Sequence, residues 1–183
     1  MILRSKTKYK WRFKEFGSGS ILMQPRLLVT TKNISIQKNV KIEKDAVLYS
    51  VQEYCGKHYN GQIYIGNGCY INHSLNVTCA NSITIEDEVL IAYNVTIIDN
   101  NHGVIPKLGN YIMQQITIRP SIIIGARSWI GANCVIMASI GKGAVIAANT
   151  VVTKAIPDYC MVAGNPGRIV KKFNFDIDKW EKV

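Results

Sequence analysis

Ile124-Gly125-Ala126-Arg127-Ser128-Trp129-Ile130-Gly131-Ala132-Asn133-Cys134-Val135-Ile136 is a short phrase spoken twice: an aliphatic residue every six positions, a glycine behind it, and a small side chain two places ahead of the next. The spacing extends in both directions. Upstream stand Ile36, Ile42 and Leu48, then Ile65, Ile71 and Val77, then Ile85, Ile91 and Ile97. Downstream stand Ile140, Ile146 and Val152, and small or β-branched residues such as Val40, Ala46, Cys69, Val89, Val95, Ala144 and Thr150 keep their place two before an aliphatic one. An amphipathic helix repeats near 3.6 and a free strand at 2, so a period of six is neither. Three such units make one triangular coil with the aliphatic residue pointing inward on each face. A single coil buries too little to be stable, and stacking supplies the core. Glycine after the aliphatic residue is expected to let the chain turn without steric cost.

The pattern predicts an all-β chain, a parallel β-helix over residues 34–156. Residues 1–33 form a basic segment, with Arg4, Lys6, Lys8, Lys10, Arg12 and Lys14 interleaved with Trp11, Phe13 and Phe16. Capping the open end of the first coil is the favoured use of that segment; contact with an anionic membrane surface is possible but not favoured. Residues 157–183 are expected to form a turn and a short helix. Two stretches break the repeat, Tyr49 to Gln62 and Ile98 to Ser121. The second is a long excursion, of the kind that carries function in compact domains. From Ile136 to Ile140 the step is four, which predicts a tightened corner.

Composition narrows the class. The chain has 183 residues, 48% of them hydrophobic, enough for one domain with a real core. It has no apolar run long enough for a membrane span and no secretory signal at its start. Five cysteines (55, 69, 79, 134 and 160) form no CxxC pair, which points to a reduced, cytoplasmic protein without zinc knuckles. The formal charge of +10 fits nucleic acid, an anionic membrane face or a phosphate-bearing ligand. No nucleic-acid module is present and the basic residues gather at the ends, so nucleic acid is set aside.

The repeat resembles the hexapeptide-repeat acyltransferases, whose β-helix is left-handed. The words Ser128-Trp-Ile-Gly-Ala-Asn-Cys-Val-Ile136, Ala148-Asn-Thr-Val-Val-Thr-Lys154 and Ala163-Gly-Asn-Pro-Gly-Arg168 resemble the maltose, galactoside and exopolysaccharide O-acetyltransferase branch. The resemblance implies a homotrimer that moves an acetyl group from acetyl-CoA to a hydroxyl of a sugar or glycan precursor, without a metal.

A transfer of this kind needs a base near neutral pKa, and the chain has three histidines, His58, His73 and His102. His102, in Asp99-Asn100-Asn101-His102-Gly103 at the root of the long excursion, occupies the place of the family's catalytic histidine. The other two read as solvated residues. Asp99 is the candidate to orient the base, a backbone carbonyl being the alternative. The resemblance sets an oxyanion donor near Gly131-Ala132. It lays the pantetheine arm by Ala148, the phosphates by Thr153, Lys154, Arg168 and Lys171, and Trp129 along the cleft wall. Asn72 matches an asparagine that contacts sugar in the branch, and Tyr93 is a candidate for stacking on a ring. Ala80 stands where those enzymes carry an acid.

Four other readings compete. An aminosugar N-acetyltransferase or a xenobiotic acetyltransferase would use the same base. A γ-type carbonic anhydrase needs closely spaced histidines converging on zinc, and these three are far apart in repeat phase. A passive trimeric scaffold would need neither the long loop with its histidine nor the terminal motifs.

Overall fold

The computed structural model describes residues 9–183. Short parallel strands wind into a triangular left-handed β-helix with three faces. The first face stacks Glu15–Phe16, Ile34–Ile36, Gln62–Ile65, Ser82–Ile85 and Ile122–Ile124, and single bridges continue it through Ile140 and Ile156. The second stacks Ile21–Leu22, Lys41–Ile42, Tyr70–Ile71, Leu90–Ile91, Trp129–Ile130, Val145–Ile146 and Cys160–Ala163. Leu27–Val29, Val47–Ser50, Asn76–Cys79, Thr96–Ile98, Val135–Ile136 and Val151–Val152 make the third.

Register explains the period of six. Leu22, Ile42, Ile71, Ile91, Ile130, Ile146 and Val162 stack directly above one another inside the second face, and none is more than 3% exposed. Burying each such side chain is worth about 1.5–3 kcal/mol. The small residues Cys69, Val89, Ser128, Ala144 and Cys160 fill the corner, all buried. The residue just before each of them adopts a left-handed backbone, as at Glu88 (φ 58) and Arg127 (φ 59), and the corner leading to the third face repeats this at Asn133 (φ 58) and Asn149 (φ 60). Asparagine and aspartate tolerate that region better than other side chains.

The glycines after the aliphatic residues have a different purpose from the one expected. Gly66, Gly125, Gly131 and Gly141 do not have positive φ. They are small because the next coil passes close by. A Cβ on Gly131 would stand 2.6 Å from the Ala148 nitrogen and 2.8 Å from the Ile146 carbonyl oxygen.

Both ends depart from the sequence reading. Residues 15–29, expected as part of a cap, supply three strands that pair in parallel with Ser35–Ile36, Lys41–Ile42 and Val47–Tyr49, so the helix starts a coil earlier than residue 34. The cap itself is shorter. A single 3-10 turn at Lys10–Arg12 leads into Phe13, which is 4% exposed and joins the core. The Thr31 hydroxyl fastens that turn by donating to the Arg12 carbonyl at 2.7 Å. Arg4, Lys6 and Lys8 lie outside the described residues.

At the other end no helix forms. Arg168–Asn174 turns back antiparallel on Cys160–Ala163, and Lys179–Lys182 pairs with it in turn. The segment is rich in β-branched and aromatic residues and alternates in burial, which suits a strand. The corner after Ile136 is tight as expected, and the one between Val152 and Ile156 repeats its step of four. Both coils still close in register on the first face.

Candidate active site at the root of the excursion

Both interruptions leave the third face, after Ser50 and after Ile98, and both return to the first. One coil separates them, so they project from the same corner and meet. The Glu53–Tyr54 and Lys57–His58 hairpin lies against the longer loop, and a second apolar cluster of Val51, Tyr59, Ala80 and Ile116 forms between them.

The root of the long loop is built rigidly. Asp99 is completely buried. Its Oδ1 accepts from the Ala80 N–H at 2.7 Å and the Asn100 amide at 3.0 Å. Its Oδ2 accepts from the Asn81 N–H at 2.9 Å and the Cys79 thiol at 3.3 Å. Burial, with Asp99 beside it, pushes the Cys79 thiol up, so the sulfur stays protonated as a donor. The Arg119 N–H donates to the Asp99 carbonyl at 2.7 Å, and Asn100–Asn101 pairs antiparallel with Thr117–Ile118. A buried carboxylate without such donors would be costly, and here both oxygens are satisfied.

Those bonds correct one expectation. The Asp99 carboxylate is spent on the coil below, and the His102 ring makes no hydrogen bond to it. His102 is exposed at the mouth of the loop, with the Tyr54 ring edge-on to it at 5.4 Å between centroids. Tyr54 and the loop-pinning Gln114 were not found by sequence reasoning. Gln114 is 6% exposed; its amide donates to the Ile105 and Gly109 carbonyls and accepts from the Ile105 N–H. No periodic signal marks a residue inside an irregular loop. Beside it a cavity of about 660 Å³ opens between hairpin and loop, lined by Lys57, Val104, Ile105, Leu108, Met113 and Ile116 among others.

The remaining candidates stand elsewhere on the prism. Thr153 and Lys154 are exposed on the same corner as His102, two turns along the axis. Asn72, Tyr93, Ala132 and Ala148 occupy the corner between the second and third faces. There Asn72 Oδ1 accepts from the His73 N–H at 2.7 Å, and the Tyr93 ring stacks on His73 at 5.3 Å, 14° from parallel. Trp129 projects from the second face, 51% exposed. Arg168 is exposed on the final hairpin and Lys171 half-buried. Among the described residues none of Lys154, Arg168 and Lys171 is in an ion pair, which leaves their charges open to an anion. One chain therefore does not gather its candidate base and its candidate binding residues into one cleft.

Residues 121–154 match the family profile described as the hexapeptide repeat of succinyl-transferase. Over 131 residues the chain is 34% identical to a putative lipopolysaccharide biosynthesis O-acetyl transferase of Escherichia coli, covering 67% of each chain. The chain belongs to the hexapeptide-repeat acyltransferase family. Within it, the chain is 38% identical over 126 residues to the galactoside O-acetyltransferase of Escherichia coli, covering 66% of this chain and 59% of that protein's length. A solved galactoside acetyltransferase in complex with coenzyme A superimposes with a TM-score of 0.58 at 28% identity, over 88% of this chain and 68% of that one. An N-acyltransferase from Bacillus cereus in complex with dTDP and coenzyme A has a TM-score of 0.73 at 18% identity, over 92% and 89%. That likeness is one of fold alone. Among the described residues no cluster of His, Cys, Asp and Glu is placed to hold a metal ion, and no helix is long and apolar enough to cross a membrane.

Proposed function

We propose that this protein is a cytoplasmic acetyl-CoA-dependent O-acetyltransferase acting on a hydroxyl of a sugar or glycan precursor, with His102 as the general base. The observation that carries the reading is the placement of an exposed histidine at the rigidly built root of a long loop, in a chain whose relatives include a putative lipopolysaccharide biosynthesis O-acetyl transferase.

In this account the His102 imidazole takes the proton of the acceptor hydroxyl while its oxygen attacks the thioester carbonyl. The oxygen of the tetrahedral species takes a backbone N–H near Gly131-Ala132. On its collapse the proton passes from His102 to the departing coenzyme A sulfur. Asp99 acts at a distance, holding the loop root so that His102 stands where it does. The donor's phosphates would meet Lys154, Arg168 and Lys171, and Trp129 and Ala148 would line its arm. Asn72 and Tyr93 would face the acceptor.

Because Asn72, Tyr93, Ala132 and Ala148 lie on a different corner from His102, and Lys154 two turns away along its own, the complete cleft in this account forms between neighbouring copies of a homotrimer. The test is release of coenzyme A thiol from acetyl-CoA by purified protein, screened over sugar acceptors, with its molar mass measured in parallel. A trimer that turns over only with a hydroxyl acceptor supports the reading. Turnover confined to aminosugar amines would move it to N-acetylation.

A further inference from the structure

The first interruption is longer than its corner requires. One coil later the chain makes the same turn between Cys79 and Ser82 alone, with Ala80 buried. The extra residues of 53–59 instead reach across to the long loop and hold its backbone at two residues, Ile112 and Ile116. The Tyr54 hydroxyl donates to the Ile112 carbonyl at 2.6 Å, and the exposed Cys55 thiol adds a 3.4 Å contact to the same oxygen. The Tyr59 hydroxyl donates to the Ile116 carbonyl at 3.2 Å and accepts from the Ile116 N–H at 3.1 Å. Tyr59 is 7% exposed and is packed in the cluster between the two segments, so its phenol is a fixed post.

The loop needs such posts. Between Gly103 and Gln115 only Gln114 is buried, while Val104, Leu108, Ile112 and Met113 are each at least 60% exposed. Segments with few buried apolar contacts open locally at low cost. His102 begins this segment, and among the described residues the one aromatic side chain set against its ring is Tyr54, edge-on with the planes 65° apart.

We infer that Tyr54 is a positioning residue for His102, and that the 53–59 hairpin clamps the loop that carries the base. The two ends of Tyr54 divide the work: the ring fixes the imidazole plane, and the hydroxyl ties the loop at Ile112. This rests on the reading of His102 as the base, and it adds what holds that base in the absence of a carboxylate. Misplacement of a base by about 1 Å costs on the order of a hundredfold in rate, so a positioning side chain acts on turnover more than on ligand affinity.

The test uses the full chain and needs no acceptor. With three histidines, the His102 ring proton signals are assigned by His58→Gln and His73→Gln. Tyr54→Leu and Tyr54→Phe are then compared by the His102 ring resonances and by amide exchange over residues 103–116. Tyr54→Leu is expected to shift and broaden the His102 signals and speed exchange at Ile112–Ile116 about tenfold, the effect of losing one hydrogen bond. Tyr54→Phe keeps the ring and is expected to restore the His102 signals while leaving exchange fast. Tyr59→Phe should speed exchange at Ile116 and leave the His102 signals alone. Unchanged His102 signals in folded Tyr54→Leu would overturn the inference. Should Tyr54→Leu not fold, Tyr54→Phe with exchange as slow as the parent would overturn the clamp. Turnover surviving in His102→Ala would instead remove the base reading and leave these spectral results standing.

Discussion

The Asp99 carboxylate accepts from the Ala80 N–H at 2.7 Å from a completely buried position, three residues before the exposed His102. One short segment therefore passes from full burial at Asp99 to an exposed side chain at His102 within three residues. Removing that carboxylate strands the N–H groups of Ala80 and Asn81 in the interior. Asp99→Ala is expected to cost about 3 kcal/mol of stability, since a buried donor left unmet pays its whole desolvation. Urea unfolding measures this, and a loss under 1 kcal/mol would show that the root is held by something else. Acetyl-CoA affinity should change little in the protein that remains folded.

Gly131→Ala tests why the hexads carry glycine. On φ alone alanine would be tolerated, because Gly131 lies outside the left-handed region. Its added Cβ would press on backbone of the neighbouring coil, the Ala148 nitrogen and the Ile146 oxygen, neither of which can swing aside. A loss of about 2 kcal/mol is expected, the usual size of an overpacking penalty. An unchanged thermal midpoint would refute close coil approach as the cause.

Much of the architecture is legible because an inward residue recurs every six positions and aliphatic side chains dominate it. The first coil has the same spacing in Phe16, Leu22 and Leu28, paired with Ile36, Ile42 and Leu48. An aromatic in the first place and the basic residues around it disguise that triplet as a tail. Ile156 and Val162 likewise continue the ladder, hidden by a step of four. The final hairpin carries period-two burial from Arg168 to Phe173 that a few charged residues make look helical. At the candidate site, the loop that begins at His102 is visible in the sequence as a break in the repeat, whereas Tyr54 touches it from a segment far away in sequence and Gln114 pins the interior of an irregular loop, which no local pattern encodes.

Alkaline pH should weaken the fold through its buried thiols. Burial raises Cys69, Cys79, Cys134 and Cys160 above the ordinary 9.0, with Cys69 pushed up to about 11. Near pH 9 the unfolded chain gives up these protons while the folded one retains them. The unfolded state then binds fewer protons, so stability is full below about pH 9 and falls as pH rises toward 11. Urea midpoints between pH 8 and pH 10.5 should decline, and less steeply in Cys69→Ala. A flat profile would contradict the burial of these thiols. At pH 8 a thiol reagent should label Cys55, the exposed cysteine, ahead of the other four.

Arg168→Ala is expected to weaken acetyl-CoA binding roughly tenfold while altering the saturated rate by less than about twofold, because a charge-assisted bond to a phosphate acts on donor and transition state alike. Titrations at low and high salt measure it, and the deficit should shrink as salt rises. Equal affinity of variant and parent at low salt would take Arg168 out of the donor site.

The central claim is that this chain binds acetyl-CoA and that His102 acts on the acceptor, not on the donor. Calorimetric titration of acetyl-CoA into wild type and His102→Ala, followed by thiol release with an accepted sugar, tests it most directly. The expected result is micromolar-range binding to both proteins, with turnover lost only in His102→Ala. Absence of binding by well-folded wild type, or near-normal turnover without His102, would contradict the account.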